Sequence, residues 1–246
     1  MPEPAHIAPS RLGILLGGIA GAVDAIGYVL LTHLFTAHMT GNTVAMGASL
    51  GTGHWHEAAR RALPIVFFLV GGLLGALIAR FAWRAHPRHA LAWMLACESG
   101  FLLLLMITAA LSPPPPAPGR FVLLTALAAS AMGVQNVSFR HFGCPSANTT
   151  VITGALSDVS EQVIELSIWT AAWARRLTRR EVVARSRGEP SQLHATFSAG
   201  LWAAYLLGAV LGGGIETRLG WYALIVPLVG SVIATILALR AADTRC

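Results

Sequence analysis

Apolar residues run along this chain in blocks of about twenty, interrupted by short polar segments rich in arginine, proline and glycine. The blocks predict spans at 12–32, 63–83, 90–111, 121–140, 195–215 and 221–240. A helix needs about 20 apolar residues to cross a hydrocarbon core of about 30 Å, whereas a barrel strand needs about ten with strict alternation. Lipid offers backbone groups no partner, so a spanning segment must satisfy its own hydrogen bonds. The pattern therefore predicts an all-α integral membrane protein of about six transmembrane helices. Two further apolar stretches, 40–51 and 148–172, follow the first and fourth spans. The first would be about 16 Å long as a helix, too short to cross. It is expected to re-enter the membrane or to continue its neighbour as a broken helix.

Composition agrees with this reading. Charged residues make up 11% of the chain and apolar residues 55%, where a soluble domain carries about a quarter charged. Mean hydropathy is +0.64. The formal net charge is +6 and lysine is absent, so all 17 basic residues are arginine. They cluster at predicted helix ends, which points to topology rather than to nucleic acid. With the N-terminus inside, 13 arginines fall in cytoplasmic segments, and Arg60, Arg61, Arg120 and Arg218 fall outside. That bias satisfies the positive-inside rule, and the reverse orientation violates it. Both termini are thus expected in the cytoplasm. The first apolar run is long, glycine-rich and carries an acid, so it reads as a retained helix rather than a signal peptide. Cys97, Cys144 and Cys246 have no paired spacing, which argues against a disulfide framework or a zinc site.

The chain reads as one membrane domain over 1–246, with halves of 12–111 and 121–240. The proline-rich segment 112–119 would be an external linker between them, and the arginine-rich segment 173–193 a cytoplasmic loop. The halves echo one another. Gly21-x-x-Asp24 answers Gly133-x-x-Asn136, Thr43-Val-x-x-Gly47-Ala48 answers Thr150-Val-x-x-Gly154-Ala155, and Gly71-x-x-x-Gly75 answers Gly208-x-x-x-Gly212. Three spans per half would place the second half the other way up, as a 3+3 inverted repeat with two broken motif helices.

Asp24 lies near the middle of the first span, with small residues at helical spacing around it. An ionised carboxylate at that depth costs about 2.5–3.5 kcal/mol on insertion scales. It is therefore expected to face a partner or a cavity, as a proton carrier, a cation contact or a buried hydrogen-bonded strut. Thr40, Gly41, Asn42 and Thr43 lead into the first half-helix. Thr40, Asn42 and Thr43 are expected to cap it through their side chains, with Gly41 easing a tight turn. Asn148, Thr149 and Thr150, after Pro145, have the same character in the second half. If both half-helices end inside the membrane, their N-termini would face each other and favour an anionic or polar group. The plainer alternative is two surface turns capping ordinary helices. Asn136 would oppose Asp24, with Gln135 beside it. Glu98 is a second intramembrane acid and a second candidate proton carrier. Asp158, Glu161 and Glu165 read as a solvated acidic face. His54-x-His56 beside Glu57 lacks a third ligand, so no metal or other cofactor is expected. No nucleophile elbow, zincin motif or phosphate loop occurs in the sequence.

Gly21-x-x-Asp24-Ala25, Phe35-x-x-x-Met39-Thr40-Gly41-Asn42-Thr43, Gly133-x-Gln135-Asn136 and Thr149-Thr150-x-x-x-Gly154 resemble the YoaK family, bacterial inner-membrane proteins of domain of unknown function 1275. The resemblance covers about 13–240. It implies a multi-pass protein of the bacterial inner membrane with no assigned activity, and it adds weight to Asp24, Thr40, Gly41, Asn42, Asn136, Thr149 and Thr150. The second motif here follows Cys144-Pro145-Ser146-Ala147, which sets its turn apart from the family pattern.

The leading expectation is a small secondary transporter or permease for a small polar or anionic solute, proton-coupled through Asp24. Asp24, Thr40, Gly41, Asn42, Thr43, Asn136, Asn148, Thr149 and Thr150 would contact the solute. The alternative is a membrane scaffold or sensor acting through 173–193. An intramembrane enzyme would need Asp24 and Glu98 as a carboxyl pair, and no enzymatic activity is expected. Partners are the lipid bilayer and a solute. A homodimer suits so thin a bundle.

Overall fold

The computed structural model describes residues 9–111, 116–142 and 192–243, with scattered positions between 160 and 170. Asn148, Thr149, Thr150, the acidic residues Asp158, Glu161 and Glu165, and positions 173–191 of the arginine-rich segment lie outside the described residues, while its last two positions, 192 and 193, open a helix. The described chain is helical: α1 (Pro9–Leu30), α2 (Met39–Gly51), α3 (Trp55–Ala85), α4 (Ala90–Ala110), α5 (Pro118–Phe142), α6 (Gln192–Leu219) and α7 (Ile225–Asp243).

Five apolar stretches are long enough to cross a membrane: Arg11–Leu30, Trp55–Ala82, Pro87–Ala110, Pro118–Phe139 and Phe197–Ala242. The last holds both α6 and α7, because the 3₁₀ turn Gly220–Leu224 divides it, beginning at Gly220 in the left-handed region (φ 54°). The six expected spans thus each coincide with a long helix, and the chain is a multi-pass membrane protein. One boundary differs. α3 begins at Trp55, eight residues before the apolar run, because Glu57 pairs with Arg60 at 3.3 Å and Arg61 at 3.0 Å. Pairs at these helical spacings hold a polar first turn in helix.

Burial is arranged for lipid. Leu69, Leu73, Leu77 and Phe81 form an exposed stripe on α3, and Leu207, Val210 and Leu211 do so on α6. Asp24, Thr36, Asn42, Glu98, Gln135, Ser138 and Ser231 are all buried. Polar groups have no water to turn to in hydrocarbon, so they gather where protein partners exist.

The helices associate crosswise between the halves. α1 packs along α6, α3 packs along α5, and α4 sits between α5 and α7. Both long contacts are made backbone to backbone. A Cβ on Gly21 would lie 2.0 Å from the Tyr205 carbonyl oxygen, and one on Gly208 2.0 Å from that of Gly18. On the other pair, a Cβ on Gly133 would lie 2.2 Å from the Phe68 carbonyl oxygen, and one on Gly71 2.1 Å from that of Ser130. Gly212 meets Ala22 as Gly75 meets Val134. The spacing of Gly18, Gly21 and Ala22 on α1 is that of Ser130, Gly133 and Val134 on α5. The spacing of Tyr205, Gly208 and Gly212 on α6 is that of Phe68, Gly71 and Gly75 on α3. The two contacts therefore match residue for residue.

Small residues let helices approach closely in a medium that supplies no hydrophobic force between them. Gly21→Ala and Gly133→Ala should each destabilise the protein, by about 1–3 kcal/mol or more, because the methyl meets backbone that cannot rotate away. Gly47→Ala, where a Cβ meets nothing within 4 Å, should melt like wild type. Thermal unfolding in detergent checks all three.

Candidate functional site

The end of α1 turns the chain back into the bundle. Leu31 and His33 donate N–H bonds to the carbonyls of Gly27 (2.7 Å) and Tyr28 (2.8 Å), closing the helix. Thr32 and His33 then adopt left-handed backbone, φ 53° and 63°. Such conformations are unusual away from glycine and persist only where the surroundings enforce them. Here Arg60 donates to the Thr32 hydroxyl and Arg61 to the His33 carbonyl. Two of the arginines expected on the external side thus clamp this turn from α3. Arg60 also lies 5.0 Å over the Phe121 ring at the start of α5.

Past the turn, residues 35–37 run back along α1 until they meet Asp24, about 9 Å inside the end of the helix at 1.5 Å per residue. Asp24 is 3% exposed. Its Oδ1 accepts the backbone N–H groups of Thr36 and Ala37, each at 2.6 Å, and the Thr36 hydroxyl at 3.1 Å. Its Oδ2 accepts the Tyr205 phenol from α6 at 2.6 Å. The Thr36 side chain packs over Gly27, where a Cβ would sit 2.8 Å from its methyl. Of the three roles open to Asp24, the strut is the one this geometry fits: Oδ1 is occupied by donors from a segment with no helical bonds of its own, and Oδ2 ties that segment to α6 through Tyr205.

α2 starts at this depth and runs outward for 13 residues, about 20 Å, short of a full crossing. The expected side-chain caps do not form. His38 is the N-cap residue and makes no side-chain capping bond. Thr40, Asn42 and Thr43 already lie inside the helix, so their hydroxyls and amide turn elsewhere. Thr40 pairs with the His38 ring at 3.2 Å, and Thr43 donates to the Met39 carbonyl at 2.9 Å. Asn42 is fully buried and clasps one residue at both ends: its Nδ2 donates to the Phe35 carbonyl at 2.7 Å, and its Oδ1 accepts the Phe35 N–H at 3.2 Å. Gly41 faces the rings of Phe35 and His38, where a Cβ would be 3.0 Å from each. The structure brings Asp24, Gly41 and Asn42 together around residues 35–37, while Thr40 and Thr43 are exposed among the described residues.

Asn136 is half-buried and does not bond Asp24. Gly133 meets Phe68 on α3 where Gly21 meets Tyr205 on α6, and Phe68 has no hydroxyl to give Asn136 the bond that Tyr205 gives Asp24. Gln135 serves another acid: its Nε2 donates to Glu98 Oε1 at 3.0 Å, and Glu98 is fully buried between α4 and α5. Tyr205 and Gln135 are the partners that reading along single helices left unpaired. The spacing Tyr205-x-x-Gly208-x-x-x-Gly212 was the available signal, because it sets the phenol on the face that packs.

Asp24→Ala should cost more stability than Tyr205→Phe. The first strands two buried N–H groups, each worth about 1–3 kcal/mol, and the second removes one hydroxyl bond. Chemical unfolding of both variants in detergent measures the order, and equal losses would show that residues 35–37 do not depend on the carboxyl.

The model of the family described as protein of unknown function (DUF1275) matches residues 12–237. A transmembrane protein of Bacillus subtilis (strain 168), UPF0700 transmembrane protein YoaK, is 30% identical over 144 residues. The aligned stretch covers 58% of this chain and 62% of that protein. No solved structure matches. With the family match running through all six long helices, the chain belongs to the DUF1275 family of multi-pass membrane proteins.

Proposed function

We propose that this protein is a small secondary transporter or permease for a small polar or anionic solute, built as a 3+3 inverted repeat. The observation that carries the reading is the crosswise packing of α1 on α6 and α3 on α5 through residue-matched contacts. Transporters of this architecture place their sites at the interface between repeats, beside helices broken within the membrane. The segment 35–38 and the half-length α2 supply one such break, and the motif around Asn148, Thr149 and Thr150 would supply the other. Asp24 then pins the break in place, and the solute meets groups that the pinned segment presents together with Asn136. Arginine bias orients the protein in the bacterial inner membrane with both termini and the α3–α4 junction in the cytoplasm. The chain carries its solute without covalent chemistry, and pairing into a homodimer would widen the bundle.

Uptake into vesicles carrying the purified chain, screened over small polar and anionic solutes, tests the reading. Asn136→Ala alters a half-buried amide and should lower uptake by roughly fivefold to tenfold, the worth of one hydrogen bond, at unchanged melting temperature. If no solute moves, and replacing 173–193 with a neutral linker abolishes function in cells, the scaffold reading takes its place.

A further inference from the structure

A second buried acid stands apart from the re-entrant segment. Glu98 lies near the middle of α4, about 12 Å from its start, and is 0% exposed. Its Oε1 is held by Gln135, and its Oε2 has no hydrogen-bond partner among the described residues. Buried polar atoms are nearly always paired, and each exception calls for a reason. The group facing Glu98 from α7 is the Ser231 hydroxyl.

Ser231 begins a line of hydroxyls. Its Oγ is 2.8 Å from that of Ser99, and Ser99 Oγ is 3.4 Å from Thr235 Oγ1. Thr235 in turn lines an open cavity of about 410 Å³ with His86, His89, Trp93 and Leu239 at the α3–α4 junction. A polar route thus leads from that end of the bundle to the Ser231 hydroxyl, which faces the Glu98 carboxyl.

The geometry points to Glu98 as a proton-binding site loaded from the α3–α4 end of the bundle through Thr235, Ser99 and Ser231. Each hydroxyl carries one proton and can accept another. Ser99 bonds the Leu95 carbonyl at 2.9 Å and Thr235 bonds that of Ser231 at 2.9 Å. Each can thus give its proton to its own helix or to the next hydroxyl, and this choice lets a proton hop. Gln135 completes the site, because an amide can offer N–H to a carboxylate or, flipped, its carbonyl to a carboxylic acid. A metal cation fits poorly: hard cations take about six oxygen ligands, and Gln135 already aims an N–H at this carboxyl.

Glu98 takes part in no ion pair among the described residues. Cys97 is its titratable neighbour on α4. α5 presents Gln135 and α7 Ser231, and the buried residues in the later part of α3 and in the 3₁₀ turn Gly220–Leu224, namely Ala79, Ala223 and Leu224, are apolar. His86, Arg88 and His89 belong to the α3–α4 junction, Arg80 and Arg84 to the end of α3, and Arg240 to the last turn of α7. The Arg140 side chain lies outside the described residues. Coupling of this proton to solute movement rests on the transporter reading; the proton site does not.

The test is infrared difference spectroscopy of the full chain in lipid vesicles after a pH step, following the C=O stretch of protonated carboxyl. A band should appear that Glu98→Gln removes and Asp24→Asn leaves. Thr235→Val should slow its rise by about a hundredfold, the lower end of what a positioned proton-transfer group contributes. The exposed Thr217→Val should leave it unchanged. A band surviving Glu98→Gln, or a rise indifferent to Thr235→Val, overturns the proposal. If Glu98→Gln does not fold, wild-type protein is treated with a hydrophobic carbodiimide, which attacks protonated carboxyls, and the label is located by peptide mass spectrometry. Label at Glu98 that falls as pH rises supports the site, and none at any pH sinks it. Titration of Glu98 without solute flux would remove only the transporter reading, and flux without titration only this one.

Discussion

The close approach of peptide backbones at Gly21, Gly208, Gly133 and Gly71 sets the positions of nearly everything else. In lipid, two helices gain little from hiding apolar surface, so their association depends on van der Waals contact and on hydrogen bonds between them. Contact at backbone distance needs positions without side chains on the facing surfaces. It also fixes the relative rotation of the helices, because few faces have such positions. With α6 seated on α1 by these glycines, the Tyr205 phenol can lie only one turn from its carbonyl at Gly21, beside Asp24. With α3 seated on the glycine face of α5, Gln135 is left to face α4 and Glu98.

The same scaffold holds two different polar arrangements. On the α1–α6 side an acid and a phenol meet, and they tie down a chain segment that turns back into the bundle. At the matching places on the α5–α3 side stand Asn136 and Phe68, which cannot form that bond. Packing positions are thus shared between the halves, while the chemistry is not. Close packing constrains only the residues at the contact, so the polar positions one residue or one turn away are free to differ.

Asp24 and Glu98 divide accordingly. Asp24 receives four donors and leaves a full set of bonds where sequence could offer only a choice among carrier, contact and strut. Glu98, which along its own helix faced only apolar residues, takes Gln135 from α5 and sits at the end of a hydroxyl line that begins at Ser231 on α7. An acid's neighbours three and four residues away on its own helix say little about its bonding. In a bundle this thin, the groups that satisfy it come from other helices and from the segment between α1 and α2.

Length and hydropathy were enough to place six long helices and to mark 40–51 as too short to cross, because each spanning helix must satisfy its own backbone in hydrocarbon whatever its neighbours are. The glycine spacings were equally legible, and they named the surfaces that pack. They did not say which surface meets which: that α1 takes α6 and α5 takes α3 follows from three-dimensional fit between chain segments far apart in sequence. Capping was misread for a related reason. Thr40, Asn42 and Thr43 carry the right side chains for an N-cap, but Asp24 and Asn42 capture residues 35–37 and carry the helix start back to His38. Local preference decides where a helix can begin, and the tertiary hydrogen bonds of a buried carboxyl and a buried amide decided where this one does.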